Sequence, residues 1–500
     1  MPAVTLGIDV GTSSTKGVAV DEAGDVLASA TREHTVARPA PGRFEMDADV
    51  WWSELVDIVS ELLAALPDAQ PTAIGVSGMG PCVLLLDEAG DAVRPAILYG
   101  VDTRAGEQIE RLTAELGADA IIASGGTPLT SQAAGPKIAW IREHEPEAYR
   151  RARMLAMPAS FLAHRLTGEL WLDHHSASQC WPLYDIDRGA WRDDWWATIA
   201  EGIEQPRLAL PTASAGTVTP EAARATGLPE GIPVALGTID AWTEAVSAGA
   251  TGPGDLMLMY GTTMFLITTT DARPTAPGMW TTRGVAEGSF SLAGGMATSG
   301  AITAWIRDLT GIRDFAELTR LAAQSGVGAG GLLMLPYFAG ERTPIQDPNA
   351  RGVVVGLTLD TTAGDLYRAA LEATAFGVRH NVEVMRAAGT AIERVVAVGG
   401  GTNGGLWTQI VSDVTGLPQV VPSKTVGASL GAAFLAAGIV GDPDIRSWNA
   451  PAAVVQPDPE QHAAYSALYE RYLDLYPATR DIVHDVTRAA RPRHHREEPA

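Results

Sequence analysis

The stretch "LGIDVGTSSTKGVAV", residues 6–20, decides how the rest of the chain is interpreted. An apolar run carries Asp9 near its end, small and hydroxylated residues follow from Gly11, and a second apolar run begins after Lys16. This pattern predicts two strands, over residues 4–10 and 17–21, joined by a turn whose backbone N–H groups could wrap an anion. A solvated hairpin and a phosphate cradle both fit these residues when they are taken alone.

The turn does not have the sequence of a P-loop. That motif requires GxxxxGK[ST], whereas this chain lacks the glycine before Lys16 and no helical pattern follows the turn. Asp9 could hold Mg²⁺ or one of its waters, because magnesium takes one or two carboxylates in proteins and keeps several waters. The stretch therefore predicts an anion-binding hairpin rather than a nucleotide loop of the P-loop type.

Two later segments strengthen the phosphate interpretation. Tyr260–Thr263 is a second glycine- and hydroxyl-rich turn between apolar runs, and two such turns could grip a phosphate from opposite sides. Gly399–Asn403 follows the run "VVAV" and precedes a helix, where glycines allow close backbone approach and the helix N-terminus favours an anion. The glycine spacing is not GxGxxG, so a dinucleotide fingerprint is not supported. The two hairpins form a weak internal repeat.

Composition limits the class of protein. Five hundred residues exceed one hydrophobic core, so two domains are expected. The formal net charge of −23 argues against a nucleic acid or an anionic membrane as partner. No secretory-signal pattern and no run of about twenty apolar residues occurs, which favours a cytoplasmic protein. Cys82 and Cys180 lie far apart in the chain and are expected to be buried free thiols.

Asp240 is the strongest single candidate for catalysis. It follows the apolar run "VALGTI" and opens a helix of small residues. It is either an N-cap, a role that aspartate fills well, or a general base that takes a proton from a substrate hydroxyl. The histidine pairs His174–His175 and His494–His495 lack metal-ligand spacing and are expected on the surface or in loops.

These segments, in this order and spacing, resemble the FGGY carbohydrate kinases of the sugar-kinase, actin and heat-shock-ATPase superfamily, above all the xylulokinase-like members. The opening stretch resembles the family's first phosphate motif and "YGTTMF" its second. "LPYFAGERTPIQDPNARGVVVGL", residues 335–357, resembles the signature segment, and residues 398–420 resemble the adenosine motif. "GASLGAAFLAAG" resembles the closing helix, so the similarity spans roughly residues 4–440.

The resemblance implies an α/β fold of two actin-like (ribonuclease H-like) domains with mixed central sheets and ATP in the interdomain cleft. We expect a sugar-binding N-terminal domain over residues 1–244, an ATP-binding C-terminal domain over residues 245–482 and a disordered polar tail over residues 483–500. The implied reaction transfers the γ-phosphoryl group of ATP, with Mg²⁺, to a terminal hydroxyl of a ketose or polyol. The implied partner is this small molecule, without nucleic acid or membrane, and the family is compatible with a homodimer.

The resemblance also assigns residues. Asp240 matches the catalytic base, and Asp9 with Asp240 matches the acids near the metal. ATP and its phosphates are expected at Gly11, Thr12, Ser13, Lys16, Gly261, Thr262, Gly300, Gly400, Gly401, Thr402 and Asn403. The sugar or polyol is expected at Gly80, Pro81, Gly100, Asp102, Arg104 and Asp240.

Three departures from the xylulokinase pattern lie on the sugar side. Gly80-Pro81 stands where the family has Met-His, Gly100 where it has Trp, and Ala241 where it has Asn after the base. Loss of several hydroxyl contacts changes substrate discrimination strongly, so the substrate is predicted not to be D-xylulose itself. The alternatives are another specificity of the family, such as ribulose, erythritol, fuculose or glycerol, or a non-catalytic sugar-sensing protein on the same fold.

A tryptophan-rich stretch leaves one question open. Its indoles either line the sugar cleft or pack an insertion, and packing is the favoured interpretation for Trp181, Trp191, Trp195 and Trp196.

Overall fold

The opening stretch forms the predicted hairpin. In the computed structural model, which describes residues 2–276 and 278–489, Ala3–Val10 pairs antiparallel with Ser14–Val20. The second strand begins three residues earlier than predicted, because Thr15 and Lys16 pair with Val10 and Asp9. The turn is therefore short, with Gly11 donating its N–H to the carbonyl of Ser14 at 3.0 Å.

This hairpin lies inside a mixed sheet that organises the first half of the chain. Within the described residues this sheet has six strands, in the spatial order Ser214–Thr217, Pro233–Ile239, Gln70–Gly78, Ala3–Val10, Ser14–Val20 and Val26–Glu33. The second half forms a sheet of seven described strands, in the order Trp280–Arg283, Phe290–Met296, Met264–Thr270, Asp255–Tyr260, Arg394–Val398, Gln419–Pro422 and Pro451–Val455.

The two sheets share one topology. In each, the glycine-turn hairpin pairs on one side with an antiparallel strand. On its other side it is followed by two successive parallel strands and then an antiparallel strand. Trp280–Arg283 extends the second sheet by a further strand. The weak repeat predicted from two turns is thus a repeat of the whole sheet.

Helices cover the sheets. In the first half they span Ala48–Ala65, Gly106–Leu116, Ala118–Gly125, Ala134–His144, Pro146–Arg151, Pro158–Thr167, His174–Ser178, Asp193–Ile199, Pro220–Thr226 and Asp240–Ser247. In the second half they span Gly300–Thr310, Phe315–Ser325, Ala363–Ala387, Leu406–Thr415, Ala428–Val440, Ile445–Trp448 and Pro459–Ala489. Short 3₁₀ turns occur at Ala329–Gly331 and Gly400–Thr402.

Small two-stranded pairs complete the secondary structure. They join Glu45–Met46 to Ala96–Ile97, Leu84–Leu86 to Met154–Ala156, Trp171–Asp173 to Arg207–Ala209, Tyr184–Asp185 to Ala190–Trp191, and Leu333–Leu335 to Val353–Val355. No helix among residues 2–276 and 278–489 combines the length and apolar character that crossing a membrane requires.

The C-terminal end differs from the expectation of disorder. The helix Pro459–Ala489 includes residues 483–489 of the expected tail, because its tyrosines anchor it to the core upstream: Tyr465, Tyr469 and Tyr472 are buried on one face. Residues 490–500, which include His494 and His495, lie outside the described residues.

The helix that follows each sheet's second parallel strand packs against the other sheet. Asp240–Ser247 follows the first sheet and places Trp242 against Phe265 of the second, with ring centroids 6.0 Å apart. Ala428–Val440 lies on the first sheet, where a Cβ added to Gly7 would be 2.0 Å from the carbonyl oxygen of Ser429. The two halves therefore share their core instead of meeting only at their surfaces.

The tryptophan-rich stretch packs the first half internally. The side chains of Trp181, Trp191, Trp195 and Trp196 are all buried. The indole N–H groups of Trp191 and Trp196 donate to the backbone carbonyls of Pro206 and Ile203, both at 2.8 Å. The packing interpretation is confirmed. Cys82 and Cys180 are likewise the buried free thiols that were expected.

The contact between the two crossing helices yields a test. A Cβ on Gly431 would be 2.0 Å from the backbone carbonyl oxygen of Thr243, and backbone cannot move aside as a flexible side chain can. Gly431→Ala is expected to lower the free energy of unfolding by about 3 kcal/mol or more, measured by urea denaturation.

Gly438→Ala is the matched control. Gly438 lies in the same helix, is exposed, and an added Cβ would meet nothing within 4 Å. This substitution should be neutral or stabilising by up to about 1 kcal/mol, because alanine favours helices over glycine. Equal effects of the two substitutions would contradict the packing described.

Candidate active site

Three parallel neighbours end at one edge of the first sheet. Ala3–Val10 runs parallel to Gln70–Gly78, which in turn runs parallel to Pro233–Ile239, with Ile239 opposite Gly78. Parallel strands bring their carboxyl ends together, and ligands of open α/β sheets bind there. This edge therefore collects Asp9, Gly80 and Asp240 from distant parts of the sequence.

Asp240 begins the helix Asp240–Ser247 and is a buried acid. Burial, first, and then the charge of Asp9 raise the pKa of Asp240 to about 7. The Ala241 N–H, which donates to Asp240 Oδ1 at 2.7 Å, opposes this shift. A carboxyl group with a pKa near neutrality is suited to accept a proton at physiological pH. The N-cap alternative is wrong, because Ile239 takes the N-cap position and Asp240 is the first residue of the helix, so the role of candidate base stays as the prediction.

Asp9 lies beside it with an unsatisfied oxygen. Burial raises the pKa of Asp9 to about 6, while the Ser77 hydroxyl and the Lys16 charge lower it. Asp9 Oδ1 is buried and has no hydrogen-bond partner among the residues the structure describes. An orphaned carboxylate oxygen at a sheet edge is the donor chemistry that Mg²⁺ or a magnesium-bound water requires.

Glu244 is a third acid that sequence reasoning missed. It lies one turn after Asp240, and burial, followed by the charge of Asp9, raises its pKa to about 7. Lys16 opposes this shift, so its side chain lies within electrostatic range of both Asp9 and Glu244. The sequence signal that could have identified Glu244 is its position one helical turn after Asp240. Contact of Lys16 with a phosphate stays a prediction.

The first turn rests on a buried polar chain. Thr12 and Ser13 are exposed at the turn. The His34 imidazole bridges the Gly11 carbonyl oxygen, 3.0 Å from Nε2, and Glu54 Oε2, 2.9 Å from Nδ1. Thr15 Oγ1 donates to the same carboxylate at 2.5 Å. These contacts join residues from three elements, which explains why the sequence did not reveal them.

The second turn opens into a cavity of about 420 Å³. Of the residues predicted to bind ATP, the cavity is lined by Gly261, Thr262, Gly300, Gly400, Gly401 and Asn403. Sequence reasoning missed the larger side chains of the lining, Tyr260, Thr303, Phe315, Thr319, Tyr367, Leu371, Leu406 and Trp407. Aromatic and aliphatic walls with a few polar groups are typical of small-molecule pockets.

Two glycines allow the close packing that forms the wall of this cavity. A Cβ on Gly300 would be 2.6 Å from the Gly261 carbonyl oxygen, and one on Gly401 would be 2.8 Å from Tyr260 Cβ and 2.9 Å from Trp407 Cζ3. Thr402 does not line the cavity, since its hydroxyl donates to the Gly399 carbonyl oxygen at 2.8 Å. Its direct role with ATP is therefore not supported, and it instead holds the loop.

Asp102 and Arg104 were predicted to contact the sugar or polyol, but the structure buries both side chains. Their side chains are 0% and 1% exposed and are paired with each other at 2.8 Å. Arg104 also donates to Glu45 at 2.6 Å, and Asp102 Oδ2 accepts the Phe44 N–H at 2.7 Å. Both charges are therefore satisfied internally. We conclude that this pair stabilises the loop around Gly100 and does not touch substrate in this conformation.

The other predicted sugar residues lie near the open edge. Gly80 lies against Ile239, next to the candidate base, and Pro81 is buried. Gly100 lines a second cavity, of about 460 Å³, together with Tyr99. The Tyr99 hydroxyl lies 3.0 Å from Thr12 Oγ1, so this cavity adjoins the first phosphate turn. Tyr99 was not predicted, because the expectation concerned the family's tryptophan, which this chain replaces with the neighbouring Gly100.

His174 and His175 were predicted on the surface or in loops, and the structure places them in the helix His174–Ser178. His174 is half-buried, with Nδ1 2.8 Å from the Tyr184 hydroxyl. His175 is fully buried between Trp242 and the Arg283 carbonyl oxygen, so its predicted surface position is wrong. In the described part of the chain, no group of three or more His, Cys, Asp or Glu side chains is placed to hold a metal.

Comparisons with known proteins identify the family of this chain. The chain matches the family model "FGGY family of carbohydrate kinases, N-terminal domain" over residues 4–247 and the corresponding C-terminal domain over residues 256–438. It is 30% identical over 483 residues to the xylulose kinase of Escherichia coli (strain K12), covering 94% of this chain and 98% of that protein. It is 31% identical over 535 residues to the ribulokinase of Mycolicibacterium smegmatis, covering 95% and 94%.

A solved structure leads to the same class. The crystal structure of xylulose kinase from Rhodospirillum rubrum superposes with a TM-score of 0.90 at 32% identity, covering 96% of this chain and all of that one. The chain therefore belongs to the FGGY family of carbohydrate kinases, ATP-dependent phosphotransferases that act on sugar hydroxyl groups. The expected two-domain, actin-like α/β fold is confirmed.

The polar chain beneath the first turn yields a prediction. Glu54→Ala leaves His34 and Thr15 without their shared acceptor, which should cost about 1–3 kcal/mol in the free energy of unfolding. The turn should also loosen and raise the KM for ATP several-fold, measured by coupled ADP release. Glu61→Ala is the control on the same helix, because its ion pair with Arg32 is exposed and should matter by less than about 1 kcal/mol. Similar effects at both positions would refute the supporting role.

His175 makes stability depend on pH. Burial lowers the pKa of His175 to about 3, whereas an unfolded histidine titrates near 6.5. Below pH ~6.5 the unfolded chain therefore binds the extra proton, and the free energy of unfolding falls with pH by up to about 1.4 kcal/mol per unit until about pH 3. His175→Gln should show a shallower fall in urea denaturation between about pH 6.5 and 4.5. A fall in His175→Gln as steep as that of the wild type would contradict this account.

Proposed function

We propose that this kinase transfers the γ-phosphoryl group of ATP to a terminal hydroxyl of a ketose or polyol other than D-xylulose, with Asp240 as general base. The observation that carries the proposal is the pair of buried carboxyl groups, Asp9 and Asp240, with pKa values of about 6 and 7 at one sheet edge. Such pairs of perturbed acids are typical of catalytic sites.

Asp240 is assigned to the acceptor hydroxyl. Its carboxylate orients that hydroxyl and takes its proton as the bond to phosphorus forms. Because phosphoryl transfer passes through a loose transition state, early deprotonation contributes little and positioning contributes most. The Ala241 N–H at 2.7 Å holds one carboxylate oxygen, which leaves the other free for the substrate.

The nucleotide is assigned to the cavity of about 420 Å³ in the second half, with its phosphates directed to the Gly261–Thr262 and Gly11–Ser13 turns. The cavity fits a nucleotide, because Gly400 faces open space, where an added Cβ would meet nothing within 4 Å, and Tyr260, Phe315 and Trp407 supply an apolar wall. Asp9, through its unpartnered Oδ1, and Asp240 would hold Mg²⁺, which neutralises phosphate charge in such transfers. Residues 1–244 and 245–482 are proposed as the two domains, acting in the cytoplasm where ATP is supplied.

The substrate class rests on chemistry at the sugar side. The relatives' names point to pentuloses, and the departures at Gly80-Pro81, Gly100 and Ala241 point away from D-xylulose. A non-catalytic sugar sensor would have no need for Asp240 at a raised pKa. We therefore favour an active kinase for a ketose or polyol of a different configuration.

A substrate panel with coupled ADP detection tests the proposal. D-xylulose, D-ribulose, L-ribulose, D-fructose, L-fuculose, erythritol and glycerol are compared at equal concentration. One or more should raise ADP release above the ATP-alone rate, with D-xylulose not the best. Asp240→Asn should lower kcat by about 10²–10⁴ while ADP binding, followed by calorimetry, stays within twofold of wild type.

Asp193→Asn provides the matched control. Asp193 also opens a helix, Asp193–Ile199, but it is exposed and distant in sequence from the site residues. This variant should keep wild-type turnover. An unchanged kcat in Asp240→Asn would refute the role of Asp240 as the base. If no panel member raises ADP release above the rate with ATP alone, the proposed activity is overturned.

A further inference from the structure

The cavity of about 460 Å³ next to Gly100 has walls from both halves of the chain. Tyr99 and Gln132 come from the first half, and Trp280 and Glu341 come from the second. Its volume lies in the range of small-molecule sites. The Tyr99 hydroxyl lies 3.0 Å from Thr12 Oγ1, so the cavity adjoins the first phosphate turn. Burial, first, and also the charge of Asp240 raise the pKa of Tyr99, which places Tyr99 within electrostatic range of the assigned base.

The side chain of Gln132 occupies the space above Gly100. A Cβ on Gly100 would be 2.7 Å from Gln132 Cδ and 3.0 Å from its Nε2. The Gly100 N–H donates to Gln132 Oε1 at 2.9 Å, and the Gly100 carbonyl oxygen accepts from Ser131 Oγ at 2.8 Å. The absence of a side chain at Gly100 is thus what lets this amide lie against the loop.

The hydrogen bond to Oε1 fixes which way the amide faces. With the oxygen committed to the Gly100 N–H, the NH₂ group is the part that remains for a ligand. Within the described residues, Gln132 Nε2 makes no hydrogen bond to protein, and the side chain lines the cavity. Gln132 therefore offers one oriented donor.

Glu341 offers the complementary group from the second half. Its Oε1 accepts the N–H groups of Ala297 at 2.8 Å and Arg342 at 2.7 Å. Its Oε2 is buried without a partner among the described residues, although the side chain lines the cavity. An unsatisfied buried oxygen of this kind is expensive unless a ligand or water binds it.

We propose that Gln132 is a specificity-determining residue that, with Glu341 opposite, binds the hydroxyl groups of the sugar or polyol remote from the transferred phosphoryl group. Gln132 Nε2 donates a hydrogen bond to one hydroxyl oxygen, and Glu341 Oε2 accepts a hydrogen bond from another hydroxyl group. The inference rests on the proposed function. It also revises one expectation: the aromatic contact absent at Gly100 is replaced by an amide from a different segment.

A double-substitution cycle tests this assignment. Gln132→Ala should lower kcat/KM for the best panel sugar about 10-fold through KM, while the KM for ATP changes less than twofold. Gly100→Ala should act in the same direction, because its Cβ displaces the Gln132 amide. In the Gln132→Ala background, Gly100→Ala should add less than twofold, since no amide is left to displace.

Gly106→Ala is the matched control. Gly106 opens the next helix, and an added Cβ would meet nothing within 4 Å. This variant should keep the wild-type kcat/KM. Additive effects of Gly100→Ala and Gln132→Ala would show that the two substitutions act separately, and would overturn the assignment.

A comparison between epimers separates specificity from mere support. Wild type and Gln132→Ala are assayed with D-xylulose and D-ribulose and with D-fructose and D-tagatose. A residue that binds a particular hydroxyl changes the kcat/KM ratio within at least one epimer pair by about fivefold or more. A residue that only supports the loop lowers both members alike, which would refute the inference.

The two proposals fail in different ways. If a sugar raises ADP release but Gln132→Ala leaves the kcat/KM ratio within each epimer pair unchanged, the role of Gln132 is overturned and the kinase assignment stands. No sugar-dependent release from any panel member overturns the proposed function and this inference with it.

Discussion

The close approach of the helix Ala428–Val440 to the first sheet is the constraint on which the rest of the structure depends. Gly7 and Gly75 leave no side chain between strand and helix, and Gly431 leaves none between that helix and Asp240–Ser247. Because these backbones touch, the helix after each sheet packs with the opposite half. Asp240 directly follows the strand Pro233–Ile239, so it shares the carboxyl edge of the first sheet with Asp9, and the helix contact joins this sheet to the second half.

The packing of the two halves brings several carboxyl groups together where water has little access. Burial raises the pKa values of Asp9, Asp240 and Glu244, and Lys16 lowers those of Asp9 and Glu244. An arrangement that keeps several carboxyl groups together without full pairing is unfavourable for stability alone. It is favourable for phosphoryl transfer, where a proton acceptor and a site for a divalent cation must lie beside the same phosphate.

Local signals in the sequence predicted much of this. Both glycine turns follow from turn chemistry, the helix Ala428–Val440 was expected from the resemblance to the family's closing helix, and the structure contains each of them. The failures concern burial and long-range pairing. His175 and Arg104 carry polar side chains, yet the fold buries both, with the carbonyl oxygen of Arg283 and the carboxylate of Asp102 as their partners.

The sequence by itself determined the family, through the order and spacing of its motifs, and the repeated hairpins, because each turn depends on neighbours within one short stretch. It also predicted Asp240 as the base. Only the tertiary structure decided that Gln132 fills the space at Gly100, that His34 and Glu54 support the first turn, and that Glu341 lines the cavity next to Gly100. The reason is physical. These contacts join residues from separate elements, and their distances depend on how the elements pack, which no short stretch of sequence encodes.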